Sequence, residues 1–151
     1  MQVGDTAPDF ELLNDLGEPV RLSSFHGEKV VVIFFYPADD TPGCTTESCG
    51  FRDAYEEFKQ AGAEVFGVSQ DSIESHAAFR AKYGLSFHLL SDPENGLRRL
   101  WQVPNRLFVM PGRVTYVIDK AGIVQLVFNS SREHLRHVTE SLVVVRRLNG
   151  S

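Results

Sequence analysis

A continuous apolar run at residues 30–36, Val-Val-Val-Ile-Phe-Phe-Tyr, constrains the fold of this chain more than any other feature. It lacks the apolar–polar alternation of a strand with one face in water. Its β-branched and aromatic residues favour a strand that is buried on both faces. Such strands lie inside sheets that helices cover. We therefore expect residues 29–36 to form a central strand of an α/β fold.

The segment after this strand predicts a turn and then a helix. Pro37 ends the strand, and Pro42-Gly43 turns the chain. From Cys44 onward, apolar residues recur at helical spacing, which predicts a helix over about 43–60. Cys44 would then lie at a helix N-terminus, where unpaired N–H groups and the helix dipole favour a thiolate over a thiol.

The rest of the chain alternates between strand and helix patterns. Further strands are predicted at 20–22, 64–69, 87–90, 114–118 and 123–128, with the last two forming a hairpin across 119–122. Between them lie a helix that ends at Gly84, a helical turn at 95–101 and a final helix. Alternating elements imply parallel strands, and the hairpin adds antiparallel ones. This order predicts a thioredoxin-like α/β fold, in which helices cover both faces of a mixed central sheet.

Two helix starts and two sets of core residues follow from the same patterns. Asp71 with Glu74, and Ser130 with Glu133, have the spacing of capping boxes. The inner stripe of the last helix is predicted as Leu135, Val138, Leu142 and Val145. Four large aromatic residues are most simply core: Phe79, Phe87, Trp101 and Phe108.

Length, composition and charge limit the possible functions. The 151 residues suit one domain, 1–151, and 42% hydrophobic residues can fill its core without a metal. A net charge of −5 argues against nucleic-acid and anionic-membrane partners. No apolar stretch of membrane-spanning length occurs, and Met1–Asp5 does not resemble a signal peptide. We expect a cytoplasmic protein, or a plastid protein if a transit peptide has been removed.

Cys44 and Cys49 are the only cysteines, and the residues around Cys44 favour reactivity. The hydroxyl of Thr41 could reach the Cys44 sulfur or a substrate oxygen, and Pro37 could shield a thiolate from water. Arg113 precedes a strand that could neighbour the Cys44 strand, so its charge could stabilise the thiolate. A thiolate, a hydroxyl and a guanidinium around a small pocket suit nucleophilic attack on an O–O bond.

The five histidines are scattered, and they do not suggest a metal site. His134 and His137 have a spacing that could ligate a metal, but surface positions on the last helix are the simpler interpretation. Two cysteines without a nearby histidine make a poor zinc site. We therefore expect no metal.

The spacing Pro37-(three residues)-Thr41-(two residues)-Cys44, with Arg113 downstream, resembles the active-site signature of the peroxiredoxins. The longer string Pro-Gly-Cys-Thr-Thr-Glu-Ser-Cys is similar to the Q-type, or bacterioferritin-comigratory-protein, subfamily. The resemblance implies a peroxidase in which Cys44 is the peroxidatic cysteine and Cys49 is the resolving cysteine. The two would form an intramolecular disulfide, which thioredoxin or a related dithiol protein would reduce. It also implies activating roles for Thr41 and Arg113, a shielding role for Pro37, no cofactor, and often a monomer. Glu47 would face Arg113 and hold its guanidinium.

Helix geometry limits how such a disulfide can form. Residues five apart on a helix have Cα atoms separated by roughly 8.7 Å, whereas a disulfide tolerates at most about 7 Å. The segment between Cys44 and Cys49 must therefore unwind. Its composition suits this, because Gly43, Thr45, Thr46, Ser48 and Gly50 are poor helix formers.

Two other functions remain open from the sequence. A general thioredoxin-fold disulfide oxidoreductase is one, although those enzymes separate their cysteines by two residues and here four intervene. A redox sensor or holdase that uses the same cysteine pair is the other. Only the peroxidase hypothesis predicts that peroxide turnover is lost when Cys44 is replaced.

Overall fold

We describe the fold from a computed structural model, in which residues 1–106 and 110–150 are described. Its strands are β1 (Glu11–Asn14), β2 (Pro19–Arg21), β3 (Val30–Phe35), β4 (Ala63–Ser69), β5 (His88–Ser91), β6 (Asn105–Arg106), β7 (Met110–Pro111), β8 (Val114–Ile118) and β9 (Val124–Asn129). Its α-helices are α1 (Pro42–Gln60), α2 (Ile73–Tyr83), α3 (Gly96–Leu100) and α4 (His134–Asn149). Short 3₁₀ turns cover Leu22–Phe25 and Pro93–Asn95.

Within these residues, seven strands form one mixed sheet in the order β2-β1-β5-β4-β3-β8-β9. β3 lies inside it, parallel to β4 and antiparallel to β8. All six residues of β3 are buried, as the apolar run predicts. The predicted hairpin is also confirmed, because β8 pairs with β9 antiparallel. β6 and β7 pair separately as a small two-stranded sheet.

The side chains of β3 alternate between two hydrophobic cores, one on each face of the sheet. Val30, Val32 and Phe34 pack with residues of α1, α2 and α4. Val31, Ile33 and Phe35 pack on the other face, where α3, the N-terminal segment and the first 3₁₀ turn supply the cover. The prediction of helices on both faces is therefore confirmed, although three of the four described α-helices lie on one face.

Several local predictions are confirmed and several are wrong. Phe79, Phe87 and Trp101 are buried, and Gly84 ends α2 in the left-handed conformation with φ of 61°. Phe108 lies outside the described residues. The strand predicted at 20–22 ends at Arg21, because Leu22 begins the first 3₁₀ turn. β1 was missed, since it is a short strand near the sheet edge.

Both predicted helix caps need correction. Ser72, not Asp71, caps α2 by accepting a bond from the Ser75 N–H, because the Asp71 carboxylate is occupied by the Asp39 N–H and the Ser69 hydroxyl. Ser130 accepts a bond from the Glu133 N–H as predicted, yet α4 begins only at His134.

The predicted inner stripe of α4 is rotated in the structure. Leu135 is 56% exposed, whereas Val138, Leu142 and Val145 are buried as expected. The residue before each of these three positions is buried as well, namely His137, Ser141 and Val144. The buried face of α4 is therefore turned toward these residues. The prediction that His137 lies on the surface is wrong for the same reason.

Candidate active site

Cys44 lies in the first turn of α1, at the carboxyl end of the central strand β3. Thr41 is the N-cap residue of α1, and Pro42 occupies the first helical position, where its missing N–H costs nothing. Cys44 is therefore the third helical residue and is only 1% exposed. The first N–H groups of a helix lack intrahelical acceptors and carry a partial positive charge. The local electrostatic field at Cys44 thus favours an anionic sulfur.

Strand pairing brings Arg113 to the same point. β8 runs antiparallel to β3, and Val114 lies opposite Phe35 at the carboxyl end of β3. The preceding residue, Arg113, consequently reaches the start of α1, where its Nη2 lies 3.4 Å from Cys44 Sγ. Arg113 is 7% exposed, so water screens its charge only weakly. The predicted proximity of Arg113 to Cys44 is present in the structure.

Two further residues hold the backbone around Arg113. Arg98 is buried and donates from Nη2 to the carbonyl of Gly112, at 2.9 Å. The Asp92 carboxylate in turn accepts bonds from the backbone N–H groups of Leu97 and Arg98. These contacts attach the segment before β8 to α3. Sequence reasoning did not identify Arg98 or Asp92 as supporting residues.

Glu47 occupies the next turn of α1 and contacts Arg113 from the other side. Its Oε1 accepts a bond from Arg113 Nη1 at 3.2 Å, and the side chain is fully buried. Burial raises the pKa of Glu47 to about 8, and the Arg113 charge only partly offsets this rise. The contact predicted between Glu47 and Arg113 is therefore present, but the carboxyl is a neutral acid at pH 7.

Two histidines of α4 complete this buried group. His137 is 0% exposed, and burial lowers its pKa to about 4. His134 stands beside Arg113, and burial together with that cation lowers its pKa as well. The expectation that the cysteines have no nearby histidine is wrong. No pattern within α4 indicated this, because the groups that bind His137 belong to other elements.

Gly43 leaves the space in which these groups meet. A Cβ atom at Gly43 would lie 2.8 Å from His134 Cε1 and 3.0 Å from Arg113 Nη2. Real Cβ atoms do not approach other atoms so closely, so a larger residue would displace the ring or the guanidinium. Glycine at this position thus permits α1 to start directly against Arg113.

Thr41 and Pro37 lie in the loop that leads into α1. The Thr41 hydroxyl donates to the Ala38 carbonyl at 3.0 Å, and the Thr41 side chain is exposed. Pro37 is half-buried between β3 and this loop. Both residues are near the start of α1, as expected, although the hydroxyl of Thr41 is engaged with the loop rather than with the sulfur.

Cys49 is half-buried, lies one and a half turns further along α1, and like Cys44 is a free thiol. Both cysteines belong to one continuous helix in this structure. The two cysteines are therefore separated by helical geometry, as assumed from the sequence. No described contact brings the two sulfurs together.

A polar cluster beneath the loop could in principle ligate a cation. Asp39, Asp71 and His76 offer ligand atoms within 4.8 Å of one another. Those atoms are already occupied: Asp39 binds Ser75 and His76, and Asp71 binds Ser69. The cluster fixes the loop to α2, and its hydrogen bonds leave no vacant set of ligands.

Comparisons with known proteins identify the family. The sequence profile of the AhpC/TSA family matches residues 3–127. Peroxiredoxin Q, chloroplastic, from Sedum lineare is 55% identical over 146 residues, covering 96% of this chain and 78% of that protein. The same protein from Triticum aestivum is 50% identical, covering 96% and 67%.

Solved structures agree with the sequence relatives. Peroxidoxin BcpB from Mycobacterium tuberculosis superimposes with a TM-score of 0.90 at 36% identity, covering 98% of both chains. Peroxiredoxin Q from Xanthomonas campestris gives a TM-score of 0.87 at 30% identity, covering 99% of this chain and 97% of the other. The fold is therefore thioredoxin-like, and the chain belongs to the AhpC/TSA family, among the Q-type peroxiredoxins.

Proposed function

We propose that this peroxiredoxin reduces hydrogen peroxide and organic hydroperoxides through Cys44, and that Cys49 then closes a disulfide with it. The enzyme is a thiol-dependent peroxidase, and its family implies a peroxide substrate and a thioredoxin-type reductant. The related bacterioferritin comigratory protein of Xanthomonas campestris is described by its alkyl peroxide reduction activity, which supports the inclusion of organic hydroperoxides. The observation that carries the proposal is the 3.4 Å approach of Arg113 Nη2 to the buried Cys44 sulfur.

In the first step, the Cys44 thiolate attacks one peroxide oxygen. The S–O bond forms as the O–O bond breaks, and the second oxygen leaves with a proton as water or an alcohol. Cys44 is thereby oxidised to a sulfenic acid. Arg113 supports this step because a cation beside the sulfur stabilises the thiolate and polarises the leaving oxygen. Glu47 supports it by holding the guanidinium in place.

Thr41 and Pro37 act at the mouth of the pocket in this proposal. The Thr41 hydroxyl lies at the N-cap of α1, where rotation away from the Ala38 carbonyl would let it donate to a bound peroxide oxygen. Pro37 is half-buried and has no N–H to attract water, so it can shield the sulfur.

In the second step, the Cys49 thiolate attacks the Cys44 sulfur, an S–S bond forms and the hydroxyl leaves as water. Because both cysteines lie on α1, the residues between them must first unwind. A reduced thioredoxin, or a related dithiol protein, then returns both cysteines to thiols by exchange.

The proposal includes the state and location of the protein. Resolution within one chain needs no second copy, which supports a monomer whose single domain spans 1–151. None of the described helices is long and apolar enough to cross a membrane. We propose the cytoplasm, or a plastid if the sequence is the mature form of a longer precursor; the chloroplastic relatives support the second location.

Two serine variants test the cysteine roles. Cys44→Ser should abolish peroxide reduction with a thioredoxin system, since a hydroxyl is a far weaker nucleophile than a thiolate at neutral pH. Cys49→Ser should consume about one peroxide per chain and then stop as a sulfenic acid that a specific reagent can trap.

Each variant has an outcome that contradicts its assignment. Appreciable turnover by Cys44→Ser would show that another residue attacks the peroxide. Normal turnover by Cys49→Ser with thioredoxin would show that Cys49 is not required for resolution. Circular dichroism of both reduced variants provides the control that the fold is unchanged.

A further inference from the structure

The Glu47 carboxyl has a second neighbour that the proposed mechanism does not use. Its Oε1 binds Arg113, but its Oε2 has no hydrogen-bond partner among the described residues and is buried. On that side, Nδ1 of His137 lies 3.4 Å from Oε2. The contact between this buried oxygen and the histidine nitrogen depends on which of the two side chains carries a proton.

The other contacts of His137 determine its protonation pattern. Its Nε2 lies 2.7 Å from the Ser130 carbonyl oxygen, which can only accept, so Nε2 carries a hydrogen. In a neutral ring Nδ1 then presents a lone pair. The Thr115 hydroxyl lies 2.7 Å from that nitrogen and can donate to it or accept from it. A neutral His137 therefore accepts a bond from Thr115 at Nδ1, and Glu47 Oε2 lies 3.4 Å from the same nitrogen without a hydrogen bond to it.

An ionised Glu47 would place a carboxylate oxygen against this lone pair, which is repulsive. A proton on the carboxyl removes this repulsion, and so would a proton on the ring. Both side chains are completely buried, and burial favours the neutral form of each. The proton therefore resides on Glu47, with His137 neutral beside it.

The charges around Arg113 lead to the same state. Arg113 supplies one positive charge to this pocket, and a Cys44 thiolate supplies one negative charge. An ionised Glu47 would add a second anion that competes for the same guanidinium in a weakly screened site. A protonated Glu47 leaves the full charge of Arg113 to the sulfur.

We propose that His137 is a positioning residue of the peroxidase site, which keeps one proton on Glu47 and thereby reserves Arg113 for the Cys44 thiolate. The inference rests on the proposed function of Cys44. It assigns a role to a residue of α4, an element that contributes no nucleophile. It also explains why a histidine, rather than an aliphatic residue, faces the carboxyl from this helix.

The titratable and charged groups that face this pair are few. From α1 they are Cys44 and Glu47 itself, and from the segment before β8 the group is Arg113. From the start of α4, Glu133 and His134 add weaker charge effects on the ring of His137. Neither of these two makes a described hydrogen bond to Glu47 or His137 through its side chain, so the main coupling runs between Glu47, His137 and Arg113.

Replacing His137 with Gln tests the proposal. The amide nitrogen of glutamine can still donate to the Ser130 carbonyl, but the electron-rich ring nitrogen that faces Glu47 is lost. Glu47 should then ionise more readily and draw Arg113 away from Cys44. In a Cys49→Ser background, we expect the thiolate titration of Cys44, followed by ultraviolet absorbance, to shift to higher pH. The rate constant of the first step at neutral pH should fall roughly 3- to 10-fold.

A double-mutant cycle separates this role from a structural one. Glu47→Gln is neutral at every pH, so His137→Gln added to it should change the titration and the first step by less than about twofold. Equal effects of His137→Gln with and without Glu47 would overturn the proposal. Turnover retained by Cys44→Ser would instead overturn the proposed function, so the two failures are distinguishable.

A spectroscopic measurement on the unmodified side chains keeps the test valid if His137→Gln does not fold. The infrared difference between the parent protein and Glu47→Gln at neutral pH should contain the carbonyl band of one protonated carboxyl. Carboxylate bands in that difference would mean that Glu47 is ionised, and the proposal would be wrong.

Discussion

The free energy of unfolding should fall as the pH rises from 6.5 to 8, because the folded protein retains a proton on Glu47 that the unfolded chain has lost. The pKa of Glu47 is raised from 4.5 to about 8 by burial. Its contribution to stability is therefore fully present below pH 4.5 and is lost as the pH rises through 8. This carboxyl alone would lower the free energy of unfolding continuously as the pH rises from 4.5 to about 8.

His137 opposes this trend over part of the range. Its pKa is lowered from 6.5 to about 4, so its contribution is present above pH 6.5 and is lost as the pH falls through 4. Between pH 4.5 and 6.5 the folded state holds a proton on Glu47 and the unfolded state holds one on His137, and the two effects cancel. Above pH 6.5 the effect of Glu47 dominates. Because the unfolded His137 is half protonated at pH 6.5 and the folded Glu47 is half ionised at pH 8, the net decrease between these pH values is about 1 kcal/mol.

Urea unfolding at pH 6.5 and at pH 8 measures this difference. The measurement is made in a Cys44→Ser, Cys49→Ser background, so that neither thiol titrates or oxidises. The matched control adds Glu47→Gln, which keeps every other titrating group and should lose the decrease. An equal free energy of unfolding at both pH values, or the same decrease in the Glu47→Gln control, would refute the assignment of this proton to Glu47.

Three further outcomes are expected from the site geometry. Arg113→Ala should slow the first step roughly 10- to 150-fold in stopped-flow measurements, because a charge-assisted contact in a buried pocket is lost; an unchanged rate would exclude Arg113 from that step. Peroxide treatment should lower amide-exchange protection over residues 44–50 and leave the rest of α1 protected; uniform protection would contradict unwinding. Thr46→Ala, at an exposed position, should add roughly 0.5 kcal/mol of helix stability and slow disulfide formation about twofold; equal rates would mean that unwinding does not limit resolution.

The sequence predicts the catalytic end of the sheet well because that end depends on one strong signal. The apolar run of β3 fixes a central strand, and the loop that follows it starts α1 at Cys44. The antiparallel hairpin then places Arg113 at the same end, because the segment before β8 must meet the end of β3. Each step follows from local pattern and strand direction, so the contact of Arg113 with Cys44 could be anticipated.

The orientation of α4 could not be predicted in the same way. Leu135 has the spacing of a core residue, yet it is exposed, while the polar ring of His137 is buried. Hydrophobic periodicity ranks leucine above histidine for the inner face, but hydrogen bonds to Thr115 and Ser130 satisfy both nitrogens of His137. Such partners come from other elements, and a pattern within one helix contains no information about them.

The helix caps show the same limit on a smaller scale. Asp71 and Ser72 are adjacent and are both good N-cap residues. Asp71 is taken by the loop before α1, through the backbone N–H of Asp39, and Ser72 is left to cap α2. The choice between them depends on a residue more than thirty positions away, so local preference alone cannot decide it.

Gly50 has two roles, in helix stability and in helix packing, and only the first is evident from the sequence. Its low helix propensity suits a segment that must unwind, as the composition suggests. In the structure, a Cβ atom there would also lie 2.8 Å from Leu135 Cδ2 and 3.1 Å from Val138 Cγ2. Gly50 thus lets α4 pack closely on α1, and replacing it would alter that packing together with helix stability. Thr46 is the better position for testing unwinding because its side chain is exposed.

The first turns of α1 couple the reactivity of the site to its conformation. Cys44 and Glu47 both lie in the segment that must unwind before Cys49 can reach the sulfur. Unwinding would therefore remove Cys44 from Arg113, and it would also remove Glu47 from His137 and expose its carboxyl to water. An exposed carboxyl ionises at neutral pH, so the helix should release a proton as it opens. Higher pH should favour the opened segment between about pH 4.5 and 8, and lower pH the closed, peroxide-reactive one. In the proposed mechanism, the step from sulfenic acid to disulfide should therefore be sensitive to pH.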